Sequence, residues 1–552
     1  MKSFVSLPAA VLGILLVSGL SNPSAAFLHD DTVSTSSGLI RGHRSPNRPD
    51  VSEYLGIPYA QSPVGDLRFA PPVKYTSDQP FDASAFVSNL PASALSSLFP
   101  NNYIRCSELT YRFPQSLDCP QTPSKPVDYP DATEIQKTVI ANFAGQNGNA
   151  QSEDCLKLNV WSKATLAPRK PVLIWLHGGR FTAGSTNNKF YQGQYLAERE
   201  DVIVVSLGYR LNIFGFSGAP GETQNVGLLD QRMAIEWVRD NIAGFGGDPD
   251  RITIFGQSAG GVAADYHSYA FSDDPIARAI IPMAGTALSM KPNTMEQSNK
   301  YWYTAASALG CGNFGDVLPC MRSKSTAELL AAVSKVPFEP SRALAQPVFH
   351  PTVDDKIVFS DYEALSAEGK FAKLPALIGN ADYEAGYYRV SAFAAGVNLT
   401  DAEWDQFNLA GFTCAGARAA SHRAEYDVPV WRYRYYGEWP NTILYPGSGA
   451  YHGTDVGQVF GTAEDASGGV ENTEDEQKVS RYMMHAWALF ARDPRHGLHW
   501  LGWPRYSEKA DAKKFAAIAY KNDPNVNILP AAESDAGCAA LGTDTSYAQG
   551  AF

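Results

Sequence analysis

Charge is scarce in this sequence. Only 18% of its 552 residues are Asp, Glu, Lys or Arg, and the balance is acidic, at −12. Without a basic excess nothing offsets a phosphate backbone, which argues against nucleic acid as a partner. No Cys/His spacing resembles a zinc site, so a metal cofactor is not expected. Internal repeats, heptads and low-complexity linkers are missing, which removes solenoids, coiled coils and tethered arrays. Past residue 20 no apolar run approaches the roughly 20 residues of a membrane span, so stable membrane insertion is not expected. What remains is a globular composition, 44% hydrophobic and 12% aromatic, in a chain long enough to bury a large core.

The N-terminus carries an address. Lys2 precedes an almost unbroken apolar run from Pro8 to Leu20, and Ser24-Ala25-Ala26 offers small residues for cleavage. Residues 1–26 read as a signal peptide, which predicts a secreted, extracellular protein. The seven cysteines, Cys106, Cys119, Cys155, Cys311, Cys320, Cys414 and Cys538, fit an oxidising compartment. Their odd number leaves one over. Asn398-Leu399-Thr400 is a glycosylation sequon, with Asn398 as acceptor.

Buried-type strands alternate with helical patterns, which predicts an α/β fold with a mostly parallel central sheet and helices on both faces. Strands are expected at 156–161, 171–176, 201–206 and 251–255, and a helix from Asn225 to Ala243. The stretch 290–342 reads mostly helical. Later strands follow at 374–379 and 428–436. In the last of these, Trp431, Tyr433 and Tyr435 alternate with Arg432 and Arg434, which predicts one apolar and one polar face.

The strand at 251–255 runs into Gly256-Gln257-Ser258-Ala259-Gly260, a G-x-S-x-G turn. A strand-to-helix turn this tight needs glycine beside the serine, and it leaves the Ser258 hydroxyl clear at the sheet edge. His177-Gly178-Gly179-Arg180 follows another buried strand. It reads as a tight turn whose freed N–H groups can hold a developing oxyanion. A serine nucleophile needs a histidine base and an orienting carboxylate, in the chain order nucleophile, acid, histidine. Of the histidines after Ser258, His267 falls on the helix behind the turn. His485 sits in an apolar helical pattern and reads as a core residue, and His496 and His499 lie in a Pro/Gly-rich loop. His452 has the order and the loop setting. Asp382 and Glu384 both follow a strand and stand level as the acid, with Asp354 and Asp355 as rivals in another loop.

These motifs, together with Tyr54–Ala60, Leu67–Pro72, Ser152–Asn159, Asn225–Arg232, Phe245–Pro249, His452–Val456, Val459–Gly461 and Trp503–Tyr506, resemble the type-B carboxylesterase/lipase family, which includes the cholinesterases. The resemblance spans nearly all of residues 27–552 and implies one α/β-hydrolase domain with helical insertions over the site. It implies Ser258, Glu384 and His452 as a catalytic triad, Glu384 being preferred because Glu384-Ala385-Gly386 matches. Gly179, Arg180 and Ala259 are the implied oxyanion donors. Disulfides Cys119–Cys155, Cys311–Cys320 and Cys414–Cys538 are implied too, with Cys106 left over. No cofactor is implied.

Three departures stand out. Arg180 occupies a position usually small, and its cation favours polar or anionic substrates. Gln257 replaces a common glutamate. The Cys119–Cys155 loop lacks the tryptophan that holds choline by cation–π contact. The stretch from Glu384 to Cys414 also looks short, which predicts a more open pocket. The expected activity is secreted serine-dependent hydrolysis of small-molecule or lipid esters through a Ser258 acyl-enzyme. A lipase on longer chains, an acyltransferase and a non-catalytic adhesion protein are the alternatives.

Overall fold

The computed structural model describes residues 31–84 and 117–552, apart from 123, 146–147, 166–168, 339–345, 508, 510–512, 545 and 549. The signal peptide and Cys106 lie outside the described residues.

Fourteen strands are found among the described residues: β1 (Thr32–Thr35), β2 (Gly38–Arg41), β3 (His43–Arg44), β4 (Val51–Pro58), β5 (Phe81–Asp82), β6 (Lys157–Lys163), β7 (Lys170–Leu176), β8 (Ile203–Leu207), β9 (Gly247–Gln257), β10 (Ala279–Met283), β11 (Ala376–Ala381), β12 (Val430–Tyr435), β13 (Lys514–Ile518) and β14 (Asn527–Pro530). Strands β1, β2 and β5 form a small sheet. The other eleven form one large sheet in the order β14-β13-β12-β11-β10-β9-β7-β8-β6-β4-β3. Its middle, from β13 to β8, is parallel, and antiparallel pairs close both edges.

The parallel middle explains the continuous apolar runs in the sequence. Helices cover both faces, so strands β7, β8 and β10 are buried along their whole length. The predicted strands overlap β6, β7, β8, β9, β11 and β12. The predicted helix is Val226–Asn241, followed by a tighter turn at Ile242–Phe245.

Strand β12 has the two faces the alternation predicts. All six of its residues are buried. Arg432 reaches Asp535 at 3.0 Å and Arg434 reaches Asp382 at 2.9 Å. The alternation is real, but the polar face carries ion pairs instead of meeting water. Stable burial of such charges requires partners of this kind. One correction concerns His485. It lies on the amphipathic helix Glu474–Arg492 with its side chain 47% exposed, where Nδ1 meets Glu200 at 2.9 Å. The apolar neighbours of His485 in sequence belong to the other face of that helix.

Three disulfides are present, Cys119–Cys155, Cys311–Cys320 and Cys414–Cys538. Among the described residues no helix is long and apolar enough to cross a membrane, and no group of three or more metal-binding side chains occurs.

Candidate active site

Strand β9 ends at Gln257, and the helix Ala259–Ala270 begins two residues later. Ser258 alone makes the turn, at φ 60° and ψ −129°, a conformation a side chain rarely takes without a functional reason. The Ser258 N–H donates to Met283 O at 2.9 Å, which ties the turn to β10. Steric crowding accounts for the glycines. A Cβ at Gly260 would stand 2.0 Å from Leu176 O, and one at Gly178 would stand 2.9 Å from the Ser258 Cβ. The His177-Gly178-Gly179 loop therefore lies directly against the serine.

That loop is held from behind. His177 is buried, and burial pushes its imidazole down to about 4, so it is neutral at pH 7. Its Nδ1–H donates to Gly178 O at 2.9 Å. Tyr209 stacks on the ring at 4.4 Å and donates to His177 O at 2.8 Å. Gly179 and Arg180 both have positive φ, 106° and 59°. Among the described residues no acceptor is found for the N–H of Gly179 or Ala259. The Arg180 side chain lies near Tyr387, Tyr388 and His350. Burial lowers the basicity of its guanidinium, while the two tyrosines act the other way.

The histidine and the acid arrive from distant parts of the chain. Glu384 precedes the helix Ala385–Ala394, just past the end of β11. Its carboxylate is fully buried, and its Oε1 accepts from Ala381 N–H at 2.6 Å. Its Oε2 bonds His452 Nδ1. The other ring nitrogen, Nε2, stands 3.0 Å from the Gln257 amide nitrogen, one residue from Ser258. The imidazole thus bridges the carboxylate and the elbow. Tyr388 and Phe412 flank it, with ring centroids at 4.9 and 5.1 Å.

Asp382 is not part of this arrangement, since it pairs with Arg434. Asp354 accepts from Asn225 and from the N–H groups of its own loop. Asp355 lies in that same loop. His267 bonds Gln231 at 3.2 Å. Asn398 is exposed just before the helix Asp401–Asn408. The expected open pocket is not observed: Ser258 and His452 are each only 3% exposed. Two helices and the π-turn Leu409–Thr413 fill the span from 385 to 413.

Sequence reading missed two partners. Tyr388 lies beside Ser258, and its hydroxyl donates to Ala551 O at 3.0 Å. Burial raises the Tyr388 phenol well above its usual range, so it stays protonated. Its place at i+4 from Glu384 was the available signal. Gln257 was read as a departure, not as a neighbour of the imidazole.

Residues 29–410 and 398–534 match the Carboxylesterase family. The chain belongs to the carboxylesterase family. It is a carboxylic ester hydrolase, and its large parallel sheet is the α/β-hydrolase sheet of that family. Among its relatives, Secreted lipase 5 of Gibberella zeae is 33% identical over 89% of this chain and 90% of its own length. Chlorogenic acid esterase of Aspergillus niger is 34% identical over 84% of this chain and 83% of its own length. Acetylcholinesterase of Bungarus fasciatus is 29% identical over 86% and 81%, respectively.

Two predictions arise here. The Gln257 amide beside Nε2 is neutral. Gln257→Glu places a carboxylate there, and a neighbouring anion favours the protonated ring, which is inactive as a base. The acidic limb of the kcat/KM profile of this carboxylesterase is expected to move up by about one pH unit. An unmoved limb would mean that residue 257 does not face the working imidazole.

The second prediction concerns Asp455, fully buried three residues past His452 and accepting from the Tyr433 hydroxyl at 2.8 Å. Burial, and then the nearby Glu384 charge, push its carboxyl up from 3.8 to about 7. Between those values the folded chain keeps a proton that the unfolded chain releases. Stability is therefore expected to fall as pH rises through this window and to stay low above it. Glu476, also pushed up to about 7 mainly by burial, adds to the fall. Asp455→Asn should flatten the difference between urea midpoints at about pH 5 and about pH 8. An unchanged difference would show that Asp455 does not titrate in this range.

Proposed function

We propose that this carboxylesterase is a secreted serine hydrolase that cleaves carboxylic esters through an acyl-enzyme on Ser258. The Ser258 hydroxyl gives its proton to His452 Nε2 and attacks the ester carbonyl. The oxygen of that carbonyl becomes an oxyanion, held by the N–H groups of Gly179, Arg180 and Ala259. The imidazolium, steadied by Glu384, returns the proton to the leaving alcohol. Water, activated by the same imidazole, then attacks the acyl-enzyme and releases the acid.

The observation that carries this reading is His452, bonded through Nδ1 to buried Glu384 and presenting Nε2 beside the elbow. Secretion is supported by the N-terminal apolar segment, by three disulfides and by the relative named Secreted lipase 5. The exposed Asn398 sequon fits the same compartment. We read residues 27–552 as one catalytic domain.

That same relative favours a second reading, a lipase acting on longer acyl chains. Turnover of short- and long-chain esters, with and without a lipid interface, separates the two. A fluorophosphonate probe tests the common mechanism: it is expected to label Ser258. An active protein that the probe leaves unlabelled would refute the acyl-enzyme.

A further inference from the structure

The segment of residues 546–548 and 550–552 lies far from the motifs in sequence yet packs against the surroundings of Ser258 and His452. Cys538, bonded to Cys414, tethers the chain ahead of it beside the π-turn Leu409–Thr413. Small residues let it come close. Ala548 packs where a Cβ on Gly411 would stand only 2.8 Å away, and Ala551 is fully buried. Two hydrogen bonds hold it. Gly550 N–H donates to Gln346 Oε1 at 2.9 Å, and Tyr388 O–H donates to Ala551 O at 3.0 Å.

Phe552 is the inner end of this contact. It is 2% exposed, and its ring packs at a tilt against Phe412, centroids 5.3 Å apart, the same ring that flanks His452. It also approaches within 3.1 Å of where a Cβ on Gly285 would be, a point 2.4 Å from the Ser258 carbonyl. The segment thus touches the surroundings of the nucleophile on one side and of the base on the other. Through its bond to Tyr388, whose ring lies 4.9 Å from that of His452, it is also tied to the surroundings of the imidazole. An ester whose carbonyl sits at Ser258 must place its acyl or alcohol group in this space. With Ser258 only 3% exposed, the room available there is set by what lines it.

We propose that residues 546–548 and 550–552 form a wall of the substrate pocket and that Phe552 sets the largest ester that fits beside Ser258. This rests on Ser258 being the nucleophile. The segment is attached by two hydrogen bonds and apolar contacts at the edge of the fold, not woven into the sheet. The wall can therefore be changed without dismantling the sheet that carries the triad.

The test compares wild type, Phe552→Ala, Phe552→Trp and a chain lacking residues 546–552. Two ratios of kcat/KM are read: p-nitrophenyl octanoate over acetate, and 1-naphthyl acetate over phenyl acetate. The first varies the acyl group and the second the alcohol. In at least one series the large-over-small ratio is expected to rise about tenfold in Phe552→Ala, to rise further in the deletion and to fall in Phe552→Trp, as pocket volume dictates. Ratios equal to wild type in both series for the two point variants overturn the proposal. If the deletion does not fold, the two point variants decide alone. Fluorophosphonate labelling of Ser258 in wild type is read in parallel. If it is absent while wild type turns over, the acyl-enzyme reading fails, a result distinct from unchanged ratios in a labelled enzyme.

Discussion

Ser258→Ala is expected to lose about a millionfold in kcat on a p-nitrophenyl ester, and His452→Ala to lose a similar amount. The reason is that neither residue works without the other. The hydroxyl is a poor nucleophile until an imidazole takes its proton, and the imidazole has no chemistry to perform without the hydroxyl. The double variant should therefore be no slower than either single one, and a residual rate above that in water should persist from the oxyanion loop and substrate binding. Burst kinetics and fluorophosphonate labelling follow the same variants, and Ser258→Ala should show neither. Multiplicative losses in the double variant would mean that the two side chains do not act as one unit, and the proposed proton transfer would have to be abandoned.

Glu384→Gln is expected to cost about 10⁴-fold in kcat while leaving the fold intact. The hydrogen bonds at this carboxylate show why so small a change matters. Oε1 accepts from the Ala381 N–H, and Oε2 bonds His452 Nδ1. A glutamine must keep its oxygen toward Ala381, so its NH₂ faces the ring. Nδ1 then has to accept, which puts the proton on Nε2, the nitrogen that must be free to receive one from Ser258. Asp382→Asn is the matched comparison. Asp382 meets Arg434 and not the imidazole. Its loss should cost about 1 kcal/mol of stability, with kcat within a few-fold of wild type. Urea unfolding and steady-state kinetics on both variants check the pair. A large kcat loss in Asp382→Asn with a small one in Glu384→Gln would reverse the assignment.

The elbow at Ser258, the His177-Gly178-Gly179 loop and the strands around them were legible because their signals are local. A buried parallel strand is a short apolar run, and a turn too tight for a side chain must be glycine. His485 misled because the apolar residues near it in sequence lie on the opposite face of its helix. The alternation at Arg432 and Arg434 showed that two faces differ without showing what the polar one meets. Their partners, Asp535 and Asp382, come from other parts of the chain. Asp382 and Glu384 could not be separated by spacing at all, since two residues decide which carboxylate points at the ring.

By itself the sequence determined the type of sheet, the tight turn at Ser258 and the glycine loop after His177, since each depends on residues within a few positions of one another. The tertiary structure brought Glu384, the carboxylate the resemblance preferred, to His452, and it alone showed that Gln257 borders the imidazole, that Tyr388 lies beside Ser258 and that Phe552 packs on Phe412. Those contacts join segments such as Glu384 and His452, 68 residues apart, and Gln257 and His452, 195 apart. Hydrogen-bond direction and packing at the ångström scale have no periodicity for a sequence to display.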